Sequence, residues 1–149
     1  MDNVELAYIA GYFDGEGSVG IYKSGGGYSI IAQVTNTYKP MIETLYKEFG
    51  GNIRSRKSYN GVGFVVARQQ WSWSASGKNA ASFFNQILPY LHEKRIQAEE
   101  AVTFQSLYGK QKGVPRKRTQ EQLLDQEARA LKVKGLKSVE YKDLQDAVR

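Results

Sequence analysis

The sequence predicts an α+β fold of order αββαββα, an antiparallel four-stranded sheet with helices on one face and additional helices at the C-terminus. Three observations carry that prediction. Apolar spacing switches between helical and alternating periods in the order helix, two strands, helix, two strands, helices. Each strand pair encloses a turn sequence, Ser24-Gly25-Gly26-Gly27 in the first and Asn60-Gly61 in the second. Between Gly17 and His92 the only acids are Glu43 and Glu48. Both fall on the intervening helix, so the strands carry no carboxylate.

Asp2 or Asn3 caps a first helix that runs through about Asp14. Strands follow at Ser18 to Lys23 and Tyr28 to Asn36, then a helix from about Lys39 to Phe49. Pro40 suits its first turn, Met41, Ile42, Leu45, Tyr46 and Phe49 form its apolar stripe, and Gly50-Gly51 stops it. Ile53 to Ser58 and Val62 to Ser74 make the second strand pair. After Gly77 come a helix to about Pro89 and another from about Glu93 to Tyr108, with Phe83, Phe84, Ile87 and Leu88 as core candidates. Residues 1–108 thus form the core. Residues 109–149 add a basic loop, Gly109 to Arg118, a helix opened by a Thr119/Gln122 capping box, and a short last helix near Val139 to Val148, packed on the same domain.

Strand alternation sorts the two faces of the sheet. Ile30, Ala32, Val34 and Ile53 point toward the helices. Ser18, Gly20 and Tyr22, with Lys23 at the rim, point outward, as do Ser29, Ile31, Gln33 and Thr35 and, on the third strand, Asn52, Arg54 and Arg56. On the fourth strand Arg68, Gln70, Ser72 and Ser74 face outward, opposite Val65, Ala67, Trp71, Trp73 and Ala75. Gln69 interrupts the inward set, and a bulge there would turn the tryptophans outward instead. An outward face with arginine, glutamine and serine but no acid suits contact with phosphates and base edges. Lys110, Lys112, Arg116, Lys117 and Arg118 in the loop add phosphate-binding candidates.

A chain of 149 residues is one domain by length, and its formal charge of +6 makes a polyanion a fitting partner. There is no cysteine, which excludes disulfides, thiol catalysis and cysteine-ligated zinc. The single histidine, His92, weighs against histidine general-base hydrolases and reads as a helix-start or surface residue. Ser24 to Gly27 lacks the lysine and helix of a phosphate loop. With no membrane span or signal peptide visible, the expected location is intracellular, in an organelle interior or a prokaryotic cytoplasm, and not secreted.

The first helix ends in two acids set among glycines. A helix C-terminus already carries about half a negative charge, so Asp14 and Glu16 each cost up to about 1 kcal/mol there. A divalent cation held by carboxylate and backbone oxygen would offset that cost. Ala7, Gly11 and Gly15 recur every fourth residue, a flat strip that admits another helix closely, and Ala10 widens it.

This stretch, Ile9-Ala10-Gly11-Tyr12-Phe13-Asp14-Gly15-Glu16-Gly17, resembles the signature of the LAGLIDADG homing endonucleases. The resemblance runs from about Leu6 to Ala101. Gln33-Val34-Thr35-Asn36 is similar to the end of the family's second strand. Leu88-Pro89-Tyr90-Leu91 with Lys94 and Gln97-Ala98 is similar to a later segment that sends a lysine to the active site. The resemblance implies Glu16 as the metal-binding acid, Asn36 holding the metal-bound water and Lys94 offsetting charge on the scissile phosphate. It departs in having Glu16 where aspartate is commoner and Asn36 where glutamine is frequent. Pro40 and Lys39 stand where some relatives place an arginine.

One copy of the motif implies a homodimer joined through Ala7, Ala10, Gly11 and Gly15, and a nearly palindromic double-stranded DNA site. The implied activity is magnesium-dependent cleavage of both strands at an intron insertion site, with calcium as an ion that binds without supporting cleavage. Its own intron RNA is a further candidate partner. The alternatives are an RNA maturase and a non-cleaving DNA-binding protein of the same fold.

Overall fold

The structure, a computed structural model, describes residues 1–58, 68–109 and 117–137. The first helix, α1 (Asn3–Glu16), begins in a capping box in which the Asp2 carboxylate accepts the Glu5 N–H and the Glu5 carboxylate accepts the Asp2 N–H. Strands β1 (Gly17–Ser24) and β2 (Gly27–Asn36) form a hairpin across Gly25-Gly26, where Gly25 has a φ of 59°. That left-handed φ at the first central turn position is open to glycine at little cost.

Helix α2 (Lys39–Phe49) has the predicted bounds, set by Pro40 at its start and Gly50 at its end. Gly50-Gly51 does more than stop it. Gly51, at φ 92°, lies so close to β4 that a Cβ would meet the Ser74 carbonyl at 2.3 Å. Strands β3 (Asn52–Ser58) and β4 (Arg68–Ser76) pair in unbroken register from Asn52 opposite Ser74 to Ser58 opposite Arg68. The described part of β4 therefore has no bulge at Gln69, and Trp73 and Ala75 are buried while Trp71 is half-buried. Val62, Val65, Ala67 and the Asn60-Gly61 turn lie outside the described residues.

Helix α3 (Gly77–Ile87) and a single 3-10 turn (Leu88–Tyr90) precede α4 (Arg95–Tyr108) and α5 (Gln120–Leu136). The Thr119/Gln122 capping box opens α5 as expected. The expected helix near Val139 to Val148 lies outside the described residues.

The sheet order is β1-β2-β4-β3, all antiparallel, so the two hairpins join through β2 and β4 at the centre. Ile30, Ala32 and Val34 are buried with Phe13, Phe83, Phe84 and Trp73 between sheet and helices. Phe83 is the hub, edge-on to Phe13, Phe49 and Trp73 at centroid distances of 4.8 to 5.2 Å. Among the described residues no helix is long and apolar enough to cross a membrane.

Candidate active site and nucleic-acid interface

The C-terminus of α1 concentrates negative charge by construction. The Gly17 N–H donates to the Phe13 carbonyl, the last rung of the helix, so the carbonyls of Asp14, Gly15 and Glu16 lie beyond the ladder. Gly17 is required there, since a Cβ would sit 2.3 Å from the Phe13 ring. Val4, Ala7, Tyr8, Gly11, Gly15 and Glu16 are all exposed, and nothing lies within 4 Å of where a Cβ on Gly11 or Gly15 would be. This is an open, side-chain-poor seam ending in a carboxylate.

Two sequence expectations are corrected here. Ala10 is fully buried in the protomer's own core, a third of a turn round the helix from Gly11, and so does not belong to the open seam. Asp14 does not need a cation to offset its charge. Its two carboxylate oxygens accept the N–H groups of His92, at 2.8 Å, and Lys94, at 2.9 Å. It thereby ties the end of α1 to the entry of α4, whose N-cap residue Lys94 makes no side-chain capping bond.

The same junction sets Lys94 in place, because its ammonium donates to the Asp14 main-chain carbonyl at the negative end of α1. His92 is exposed and contributes its backbone, as expected of a surface histidine.

Register brings Asn36 to the same end of the sheet, since Gly17 stands opposite Val34. The Asn36 side-chain oxygen accepts the Tyr38 N–H at 2.9 Å and shapes the entry to α2, which leaves its NH2 group as the part that faces other partners. Lys39 pairs with Glu43 at 3.1 Å and lies over the Trp71 ring. Tyr12, one turn before Glu16, has a buried hydroxyl with no partner among the described residues. Burial raises its pKa above the ordinary tyrosine value, and the neighbouring Glu16, Tyr8 and Tyr38 raise it further. It stays a neutral donor beside the carboxylate.

Among the described residues no three histidine, cysteine or acidic side chains cluster as a metal cage. One exposed carboxylate and carbonyls beyond the helical ladder are hard oxygen donors. They fit an ion such as magnesium, which takes one or two carboxylates and completes its shell with phosphates and water.

On the sheet, Lys23, Arg54, Arg56, Lys57 and Arg68 are exposed, and none is in an ion pair among the described residues. By register Arg54, Arg56 and Arg68 lie on the outward face, which is thus positively charged with no ion pair among the described residues. Asn52 is exposed, while Ser18, Ser29, Ile31 and Gln70 are half-buried on the same face. At its centre the expected contact residues bond one another, Gln33 and Thr35 both donating to the Ser72 hydroxyl at 3.1 and 3.0 Å. Tyr22 reclines along β1 so that its ring occupies the space a Cβ on Gly20 would need.

In the loop, Lys117 is exposed. Arg118 instead donates to the Tyr108 carbonyl and covers the Tyr108 ring, a structural use the sequence did not show. Lys110, Lys112 and Arg116 lie outside the described residues.

The model of the LAGLIDADG-like domain matches residues 3–109. The chain belongs to the LAGLIDADG family. Its fold is shared by crystal structures of the homing endonuclease I-CvuI. One, with the I-CreI target in the presence of magnesium and its DNA not cleaved, gives a TM-score of 0.68 at 18% identity, covering 92% of this chain and 84% of that one. Another, with I-CvuI's own target in the presence of calcium, gives 0.67 at 17% identity, covering 96% and 91%. The archaeal intron-encoded homing endonuclease I-Vdi141I complexed with DNA aligns at 0.49 and 12% identity over 88% of this chain and 99% of that one. No curated protein matches the chain. The LAGLIDADG helix of this family member is α1, and its two C-terminal acids differ: Asp14 joins α1 to α4, and Glu16 has no bonded partner among the described residues.

Proposed function

We propose that this LAGLIDADG chain is a homodimeric, divalent-metal-dependent homing endonuclease that cuts both strands of a long, nearly palindromic DNA site at an intron insertion locus inside the cell. The observation that carries the reading is the exposed Glu16 at the open end of the glycine seam, next to an acid-free cationic sheet face. One helix end addresses one strand of a duplex. Two copies meeting through Ala7, Gly11 and Gly15 place two Glu16 carboxylates either side of the two-fold axis and so address both. The DNA complexes of I-CvuI, with magnesium and with calcium, support the same substrate and ion class.

Glu16 and the Gly15 carbonyl would hold the ion. When bound, magnesium polarises the phosphate and lowers the pKa of the attacking water. Lys94, fixed by Asp14, brings positive charge to the phosphate as it gains negative charge in the transition state. The Asn36 NH2 group orients the attacking water. Arg54, Arg56 and Arg68 suit bidentate contact with guanine, and Gln33 and Gln70 suit adenine.

The test is cleavage of a randomised duplex library with magnesium and with calcium. Double-strand cuts with magnesium only, at a site with two-fold symmetry, are expected. Binding of intron RNA without any cutting of DNA would favour a maturase instead.

A further inference from the structure

The β1–β2 hairpin reaches beyond the sheet that supports it. The β2–β4 ladder begins at Ile31 opposite Ser76, so residues 27–30 of β2 have a strand partner on the β1 side alone. A two-stranded ribbon by itself is marginally stable in water. Ser24 and Gly27 close the turn as a bonded pair, and alternate residues of an antiparallel ladder turn their N–H groups outward. The Tyr28 N–H therefore points away from β1, toward the side that β4 does not reach.

Helix α5 supplies what β4 does not. Gln126, 1% exposed, accepts the Tyr28 N–H with its side-chain oxygen at 3.2 Å. That oxygen lies 2.9 Å from where a Cβ on Gly27 would stand, so a glycine at 27 is what lets the amide in. Eleven residues on, the Lys137 ammonium lies 3.4 Å from the Tyr22 hydroxyl. The helix is itself fixed to α4, through Asp125 with Tyr108 and through Lys132 with Glu100 at 2.7 Å.

We propose that Gln126 is a positioning residue for DNA specificity, holding the outer end of the β1–β2 ribbon at the depth and angle at which Tyr22 and Ser29, opposite one another on its outward face, meet base edges. The proposal rests on the endonuclease reading above for its DNA and on the hydrogen bond to Tyr28 for its mechanism. Gln126 touches no DNA. Its effect on base choice passes through the backbone of Tyr28.

Two full-length variants test it from opposite sides. Gln126→Met removes the amide acceptor at nearly the same shape, and Gly27→Ala displaces the amide with Gln126 intact. Amide exchange of Tyr28 in the DNA-free protein is read beside base-by-base preference on single-substitution duplexes of the selected site. Both variants are expected to speed Tyr28 exchange, and to weaken discrimination about two- to tenfold, the range of one hydrogen bond. That weakening is confined to base pairs under the β1–β2 ribbon, with positions under Arg54 and Arg56 unchanged and affinity for unrelated duplex unchanged. Unchanged Tyr28 exchange overturns the proposal, and so does discrimination lost evenly at every position. A wild-type chain that binds no duplex overturns the endonuclease reading and this proposal with it. The protection of Tyr28, which needs no DNA, tells that outcome apart from failure of the clamp itself.

Discussion

The β1–β2 hairpin passes the end of β4 and rests on α5, whereas the β3–β4 hairpin passes the other end of the sheet and is rooted in the core through Trp73. Their surfaces differ in the same sense. The first carries one cation, Lys23, among small and amide side chains, and the second carries Arg54, Arg56, Lys57 and Arg68. Asn36, near Glu16, stands opposite Trp71 at the end from which the second hairpin leaves, and the turn of the first lies nine residues away along β2. At about 3.3 Å per residue that is roughly 30 Å, close to nine base-pair rises. Positive charge is thus densest toward the Asn36 end of the sheet. At the other end the outer part of the first hairpin has no β4 partner, and α5 holds it.

If Trp73 is the root of the second hairpin, removing it should have the largest effect. Trp73→Ala empties a site in contact with Phe83 and leaves the Gly50 carbonyl without its 2.7 Å indole donor. A loss of about 3 to 5 kcal/mol in urea-unfolding stability is expected. A loss under about 1 kcal/mol would place the root elsewhere.

Next come the arginines. Arg54→Ala and Arg56→Ala should each cost about 1 to 3 kcal/mol of specific binding and relax one base position, whereas Lys23→Ala should mainly weaken binding to all sequences and reduce its salt dependence. An equal loss on all sequences from the arginine changes would erase the contrast between the hairpins.

The smallest effect concerns the attachment of α5. Hydrogen bonds from Tyr108 first, and then from Arg129, hold the Asp125 carboxyl below its ordinary value of 3.8, while the bond to Asp125 raises Tyr108 above 10.0. A lowered carboxyl pKa adds stability that is complete above about pH 4 and fades as pH falls through the lowered value. For Tyr108 the sign reverses, so its share is present below pH 10 and fades above it. Thermal melts from pH 5 down to pH 2 should show a shallower acid decline in Asp125→Asn than in the wild type. Parallel curves would remove this contact from the account.

What the sequence made legible was whatever depends on near neighbours. Pro40 and Gly50 bound α2 to the residue, glycines marked the first turn, and period-two spacing sorted Ile30, Ala32 and Val34 from Gln33. The seam was legible as a stripe of small residues, but size alone does not separate a residue facing a partner from one packed inward, which is why Ala10 was misplaced. The remainder depends on distant pairings. Asp14 meets Lys94 across 80 residues, and Gln126 meets Tyr28 across 98. In sequence Asp14 looks like a twin of Glu16, and Gln126 looks like one more polar residue on a helix. Only the packing of α4 and α5 gives them their tasks.

On the proposed function Glu16, alone of the two acids in its motif, serves the reaction. Glu16→Gln keeps the shape of an exposed side chain that makes no hydrogen bond among the described residues, so folding and DNA binding should survive. Cleavage of both strands with magnesium should fall about a thousandfold or more, as loss of several kcal/mol of metal-assisted stabilisation requires. Binding retained with cutting abolished is the predicted result, and cutting at the wild-type rate would contradict the account.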